Sequence, residues 1–220
     1  MTQQGLKTHD LIGPHLGHHK RLCSDQQLGY YLAGLIEGDG YFGPKKLEIA
    51  YHIKDISAAY LLRDLLGFGQ IYRYSAGRQA IRLVISNQKG LKHLVQLVNG
   101  KFVSPLKVNQ LIKHHYASRL NIIILPPLKR VSLDNHWLAG FLDADGSIGI
   151  FIAPSGTHKH GKSVRLEVKI SQKDYLCVGL IGRIFKVNKI YQDKTDQIYK
   201  LNLTGAHRIK TIADYLDQYH

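Results

Sequence analysis

Apolar and polar residues alternate in several short runs along the chain, and the runs come in matched pairs. Leu47, Ile49, Tyr51 and Ile53 alternate with Lys46, Glu48, Ala50, His52 and Lys54, while Val164, Leu166, Val168 and Ile170 alternate with Ser163, Arg165, Glu167, Lys169 and Ser171. A period of two marks a strand with one buried and one wet face. Ile81, Leu83 and Ile85 against Arg82, Val84 and Ser86 repeat the pattern, as do Tyr199, Leu201 and Leu203 against Lys200, Asn202 and Thr204. The wet faces are mostly basic and polar.

The matching reflects an internal duplication. LAGLIEGDG at residues 32–40 returns as LAGFLDADG at residues 138–146, an offset of 106. LEIAYHIKD (47–55) matches LEVKISQKD (166–174), and GQIYRY (69–74) matches NKIYQD (188–193), both at offset 119. AIRLVIS (80–86) parallels IYKLNLT (198–204), and LKHLVQLV (91–98) parallels IKTIADYL (209–216), at offset 118. The step from 106 to 119 predicts an insertion of thirteen residues between Ser147 and Arg165, with APSGTHKHGK as the tip of a long hairpin. Each half reads as a motif helix, two strands, a helix, two strands and a helix. The expectation is an α+β protein of two pseudo-symmetric αββαββα repeats: an extension over 1–28, a first repeat over 29–120, a linker over 121–133 containing Pro126-Pro127, and a second repeat over 134–220.

Each nine-residue motif places small residues on one helix side: Ala33, Gly34 and Gly38, then Ala139, Gly140 and Ala144. Two such helices can pack with their backbones close together. Gly40 and Gly146 fit a C-terminal glycine stop, which would set Asp39 and Asp145 side by side at the helix ends. Neighbouring carboxylates at the negative end of two helix dipoles disfavour mutual ionisation. A divalent cation removes that penalty, and oxygen ligands of this kind suit Mg²⁺. Such a centre can activate water and stabilise the leaving oxygen in phosphodiester hydrolysis.

Charge narrows the partner. Thirty Lys+Arg against sixteen Asp+Glu give a formal net charge of +14, so a basic face should attract a polyanion. Two isolated cysteines, Cys23 and Cys177, suggest neither a disulfide framework nor a zinc site and fit a reducing compartment. No apolar run has membrane-spanning length, and the start MTQQGLKTHD lacks a secretory apolar region, so a soluble intracellular protein is expected. A small-molecule enzyme is disfavoured, since neither a phosphate-cradling glycine loop nor a nucleophile constellation is present.

The paired LAGLIEGDG and LAGFLDADG motifs resemble those of the LAGLIDADG homing endonucleases in their single-chain, two-motif form, and the resemblance runs from about Gly29 onward. It implies a saddle of two antiparallel sheets with the motif helices at its centre. It also implies site-specific cleavage of both strands of a long asymmetric duplex target, leaving short 3′ overhangs. Asp39 and Asp145 then bind Mg²⁺ or Mn²⁺, aided by the carbonyls of Gly38 and Ala144, while Ca²⁺ binds without supporting cleavage. Glu37 and Asp143 take structural work. Gln172 matches a position that orients water; its partner at offset 119 is Ile53, so His52 or Lys54 would substitute in the first half. Lys101 matches a lysine supporting the nucleophile or transition-state charge, with Lys107 as second choice. The position 118 residues after Lys101 is Tyr219, so the second half lacks an obvious equivalent lysine, and either the chain is shortened or the two strand cleavages are unequally supported.

Expected DNA contacts are Lys46, Glu48, His52, Lys54, Arg73, Arg78 and Arg82 in the first half. In the second they are Lys159, Lys162, Arg165, Glu167, Lys169, Lys173, Lys200 and Asn202. Double-stranded DNA is the partner of a monomer with no membrane association, and the resemblance suggests a mitochondrial intron origin. It also leaves two alternatives on the same fold: an RNA maturase acting on its own intron, and a noncatalytic DNA-binding protein, the latter expected to lose a motif acid. His9, His15, His18 and His19 read as a polar extension rather than a metal site, and Trp137 as core.

Overall fold

The computed structural model describes residues 24–74 and 77–220; Cys23 and the four N-terminal histidines lie outside them. The first half begins with α1 (Asp25–Asp39), whose N-cap Ser24 accepts the Gln27 N–H. β1 (Gly40–Phe42) and β2 (Leu47–His52) follow, then α2 (Ile56–Leu66), β3 (Gln70–Arg73), β4 (Ala80–Ile85) and α3 (Gln88–Val98). Two helices the strand periodicity did not reveal, α4 (Pro105–Lys113) and α5 (Tyr116–Leu120), come before residues 121–136, which hold no helix or strand. The second half repeats the order: α6 (Trp137–Asp145), β5 (Gly146–Pro154), β6 (Lys162–Gln172), α7 (Tyr175–Ile184), β7 (Tyr191–Gln192), β8 (Tyr199–Thr204) and α8 (Ala206–Tyr219). The strands form two antiparallel four-stranded sheets, ordered β1-β2-β4-β3 and β5-β6-β8-β7. The expected α+β duplication is present in both halves.

α1 and α6 meet at their glycines. A Cβ on Gly34 would lie 1.9 Å from the Trp137 carbonyl oxygen, and one on Gly140 would lie 2.0 Å from that of Tyr31. Tyr31 and Trp137 are themselves equivalent in the motif alignment, so the contact is a pseudo-twofold. Gly40 and Gly146 end the helices, but with φ of −93° and −92°, not in the left-handed conformation expected of a glycine stop. Space requires them to be glycine: an added Cβ would come within 2.6 Å of Ile36 and 2.5 Å of the Leu142 carbonyl oxygen. A continuous core links the halves, from Phe42, Leu47, Ile49 and Leu83 through Leu32, Ile36 and Trp137 to Val168, Ile170 and Leu201.

The strand register corrects the alignment. Gly40 pairs with Ile49 and Gly146 with Ile170, so the offset in the second strand is 121, and the inserted segment is fifteen residues rather than thirteen. The first half recovers two residues in a 3-10 turn, Ile53–Asp55, which removes Ile53 and Lys54 from the strand. Most of the insertion lengthens β5 and β6, leaving residues 155–161 as the tip. Val164 and Leu166, expected to be buried, are 63% and 41% exposed because this hairpin runs past the helices that cover Val168 and Ile170.

Candidate metal centre and nucleic-acid interface

Asp39 and Asp145 end the two central helices. The contact between them is tight: a Cβ on Gly38 would lie 2.3 Å from the Ala144 Cβ and 2.7 Å from Asp145 Oδ2. Small residues are therefore what allow the carboxylates to approach. Burial on their inner side raises the pKa of Asp39 to about 6. Asp145 is raised to about 7, first by burial and then by the negative charge of Asp39. Two crowded carboxylates that resist ionisation fit a divalent cation, which would hold both in the charged form. Among the described residues there is no cluster of three or more His, Cys, Asp or Glu, so water or substrate oxygens would complete the coordination.

Gln172, at the end of β6, donates Nε2–H to Asp145 Oδ2 at 2.6 Å, and its Oε1 accepts the Lys173 N–H at 2.6 Å. The amide is held from both ends. Lys101 lies away from the two acids: its Nζ donates to the Leu97 carbonyl and lies 5.5 Å from the Tyr30 ring centre. Tyr30 sits nine residues before Asp39, roughly 13 Å along α1. The second choice, Lys107, reaches the centre instead. It is buried on α4, donates to the Gly40 carbonyl and faces Glu37, Asp145, Cys177 and Asp39; burial lowers its pKa while those groups oppose the shift. The loop after α3 turns the chain into α4, which brings Lys107 rather than Lys101 to the acids.

Glu37 and Asp143 do the bracing. Glu37 is 4% exposed, and its Oε1 accepts the N–H groups of Val103, at 2.7 Å, and Ser104. Desolvation raises its pKa to about 8 against the pull of those donors. Ser104 in turn donates to Asp174, the N-cap of α7, so one chain of bonds ties α1, α4 and α7 around Lys107. Asp143 accepts from the Tyr31 hydroxyl at 2.7 Å and pairs with His220 at 2.7 Å.

The register also sorts the outward faces. In the first sheet Ala50 is opposite Arg82, itself opposite Tyr72, and Glu48 is opposite Val84. Glu48 pairs with both Lys46 and Arg82, at 2.8 and 3.0 Å. His52 shares this face; Arg78 and Arg82 lie over Tyr74. Arg73 does not share it, because it pairs with buried Ile81 and points to the helix side. Lys54 lies in the 3-10 turn, outside the strand.

In the second sheet, Ser147, Lys169 and Asn202 form one row and Phe151 faces Arg165. The Phe151 ring carries Arg165 and Lys169 at 5.0 and 5.3 Å, while Glu167, 5% exposed, pairs with Lys169. Lys200 shares the outward face and pairs with Asp193. Lys162 pairs with Pro154, which by the two-residue alternation puts it on the opposite face, with Val164. Lys159 is in the hairpin tip, and Lys173 follows β6 directly.

Comparison with known proteins bears on the family and the fold. The LAGLIDADG endonuclease family profile matches residues 138–220. The cox1 intron-2 37.2 kDa protein of Schizosaccharomyces pombe is 37% identical over 215 residues, covering 95% of this chain and 65% of that protein. The chain belongs to the LAGLIDADG family. Another relative, the intron-encoded RNA maturase bI4 of Saccharomyces cerevisiae, is 33% identical over 201 residues, covering 87% of this chain and 30% of the maturase. The chain thus spans less than two thirds of either relative's length. The LAGLIDADG meganuclease I-AabMI, solved bound to uncleaved DNA, shares the fold at 19% identity, with a TM-score of 0.64 over 87% of this chain and 83% of that one. Among the described residues no helix is long and apolar enough to cross a membrane.

Proposed function

We propose that this LAGLIDADG chain is a site-specific DNA endonuclease, acting as a monomer, that lays duplex DNA across the outward faces of both sheets and hydrolyses one phosphodiester bond in each strand. The carrying observation is that Asp39 and Asp145, from the two repeats, meet at a helix contact too tight for a side chain at Gly38, with Gln172 and Lys107 converging on them.

The two carboxylates, with the carbonyls of Gly38 and Ala144, would hold Mg²⁺ or Mn²⁺. Bound there, the cation would neutralise the phosphate and lower the pKa of the attacking water. Gln172 fixes Asp145. The ammonium of Lys107 places positive charge where negative charge develops as water attacks phosphorus and the 3′ oxygen departs. Arg82, Arg165, Lys169, Lys200 and Asn202 provide the outward basic and polar surface. An intron-encoded, mitochondrial protein is the biological setting that the named relatives favour.

A second reading rests on the similarity to an RNA maturase: the same chain would bind its own intron RNA. Cleavage of a randomised duplex library in Mg²⁺ tests the first reading. Double-strand cuts abolished by either Asp39→Asn or Asp145→Asn are expected, with Ca²⁺ supporting binding only. Tight binding to intron RNA with no cutting of any duplex would give preference to the second.

A further inference from the structure

The strand register places Tyr51 where the second half has Gln172. Each lies two residues beyond the partner of a motif glycine, Ile49 opposite Gly40 and Ile170 opposite Gly146, on the same face of its strand. The offset of 119 conceals this pairing, because the extra residues of the 3-10 turn displace the alignment by two.

The two positions are filled differently. Gln172 is committed, donating to Asp145 and accepting from its own neighbour's backbone. The Tyr51 hydroxyl is buried and has no hydrogen-bond partner. A buried phenol nearly always finds one. Its carboxylate neighbours are Asp39 and Asp143, and Asp143 is already engaged by Tyr31 and His220. Among the described residues Asp39 accepts no side-chain hydrogen bond, in contrast to Asp143 and Asp145. The group for which the hydroxyl is available is thus on the Asp39 side.

We propose that Tyr51 is the positioning residue for the Asp39 half of the centre, its hydroxyl donating to the Asp39 carboxylate when the cation and DNA are bound. The halves are then unequal. One carboxylate is ordered by an amide already in place, the other by a phenol that engages on loading. The two strands of one target are therefore cut in a fixed order.

This inference rests on the nuclease reading, and the test separates the two. Strand-resolved cleavage of a doubly labelled duplex should show a nicked intermediate with the same strand always cut first. Tyr51→Phe should slow one strand by about 10- to 100-fold, the loss of a hydrogen bond to a charged group, and leave the other unchanged. Tyr51→Gln should restore that strand. Equal slowing of both strands, or of neither, overturns the proposal. A second readout does not depend on cutting: electron paramagnetic resonance of Mn²⁺ bound to the protein–DNA complex should change with Tyr51→Phe and recover with Tyr51→Gln. If wild-type protein cuts neither strand, the nuclease reading fails, and the Mn²⁺ spectrum alone decides the role of Tyr51: an unchanged spectrum, or no bound Mn²⁺, overturns it.

Discussion

Gly34 and Trp137 touch through backbone: a methyl group added at Gly34 would sit 1.9 Å from the Trp137 carbonyl oxygen. Neither side can yield by rotating a side chain. Gly34→Ala should cost about 1–3 kcal/mol by overpacking, and Gly140→Ala a similar amount, since it meets Tyr31 in the mirrored contact. Urea unfolding of both variants checks this. A loss confined to one of them would show that the two helices do not share the contact evenly.

The lysine assignment gives a sharper contrast. Lys107→Met should lower the cleavage rate by about 100-fold or more, the scale of removing one electrostatic stabiliser, while DNA affinity in Ca²⁺ persists. Lys101→Met, which removes a bond to the Leu97 carbonyl far from the acids, should leave the cleavage rate unchanged. Single-turnover kinetics on the two variants separates these positions.

Protonation of the acids sets a pH dependence with a defined sign. In the metal-free protein Asp39 and Asp145 titrate near about 6 and about 7, above an unfolded aspartate at about 3.9. The folded state then binds protons more tightly than the unfolded chain. The resulting stabilisation is complete below the unfolded value and is lost as pH rises through the folded values. Metal-free wild type should therefore lose stability relative to Asp145→Asn as pH rises from about 4 to about 8. Mg²⁺ should reverse the loss in wild type more than in the variant. Denaturant midpoints with and without Mg²⁺ measure both effects.

The outward cations should act mainly on phosphates. Arg165→Ala and Lys169→Ala each remove a charge held over Phe151. Each should lower the slope of log affinity against log salt by about one if it contacts one phosphate. Lys162→Ala, on the other face at the hairpin end, should change the slope least. Filter binding across a salt series ranks the three.

Much of this was legible in the sequence because duplication makes weak signals repeat. The period-two runs identified the strands, and the paired motifs placed Asp39 and Asp145 on equivalent helix ends. Other features escaped, and each depends on contacts distant in sequence. A strand's register is set by its partner, so the two residues absorbed by the 3-10 turn concealed Tyr51 behind a plausible alignment. The approach of Lys107 to the acids depends on Glu37 bracing the preceding loop, a long-range contact with no local pattern. Alternation at Val164 and Leu166 predicted burial, yet burial depends on whether a helix extends that far.

The long hairpin gives the molecule a direction. β5 has nine residues where β1 has three, a reach of about 30 Å against about 10 Å. A duplex held across both sheets would meet a long arm on one side and a short one on the other. Turning the same target end for end would offer each half to the wrong arm. Such a surface would sense the orientation of a duplex through strand length, while the paired glycine contact of α1 and α6 beneath it stays symmetric.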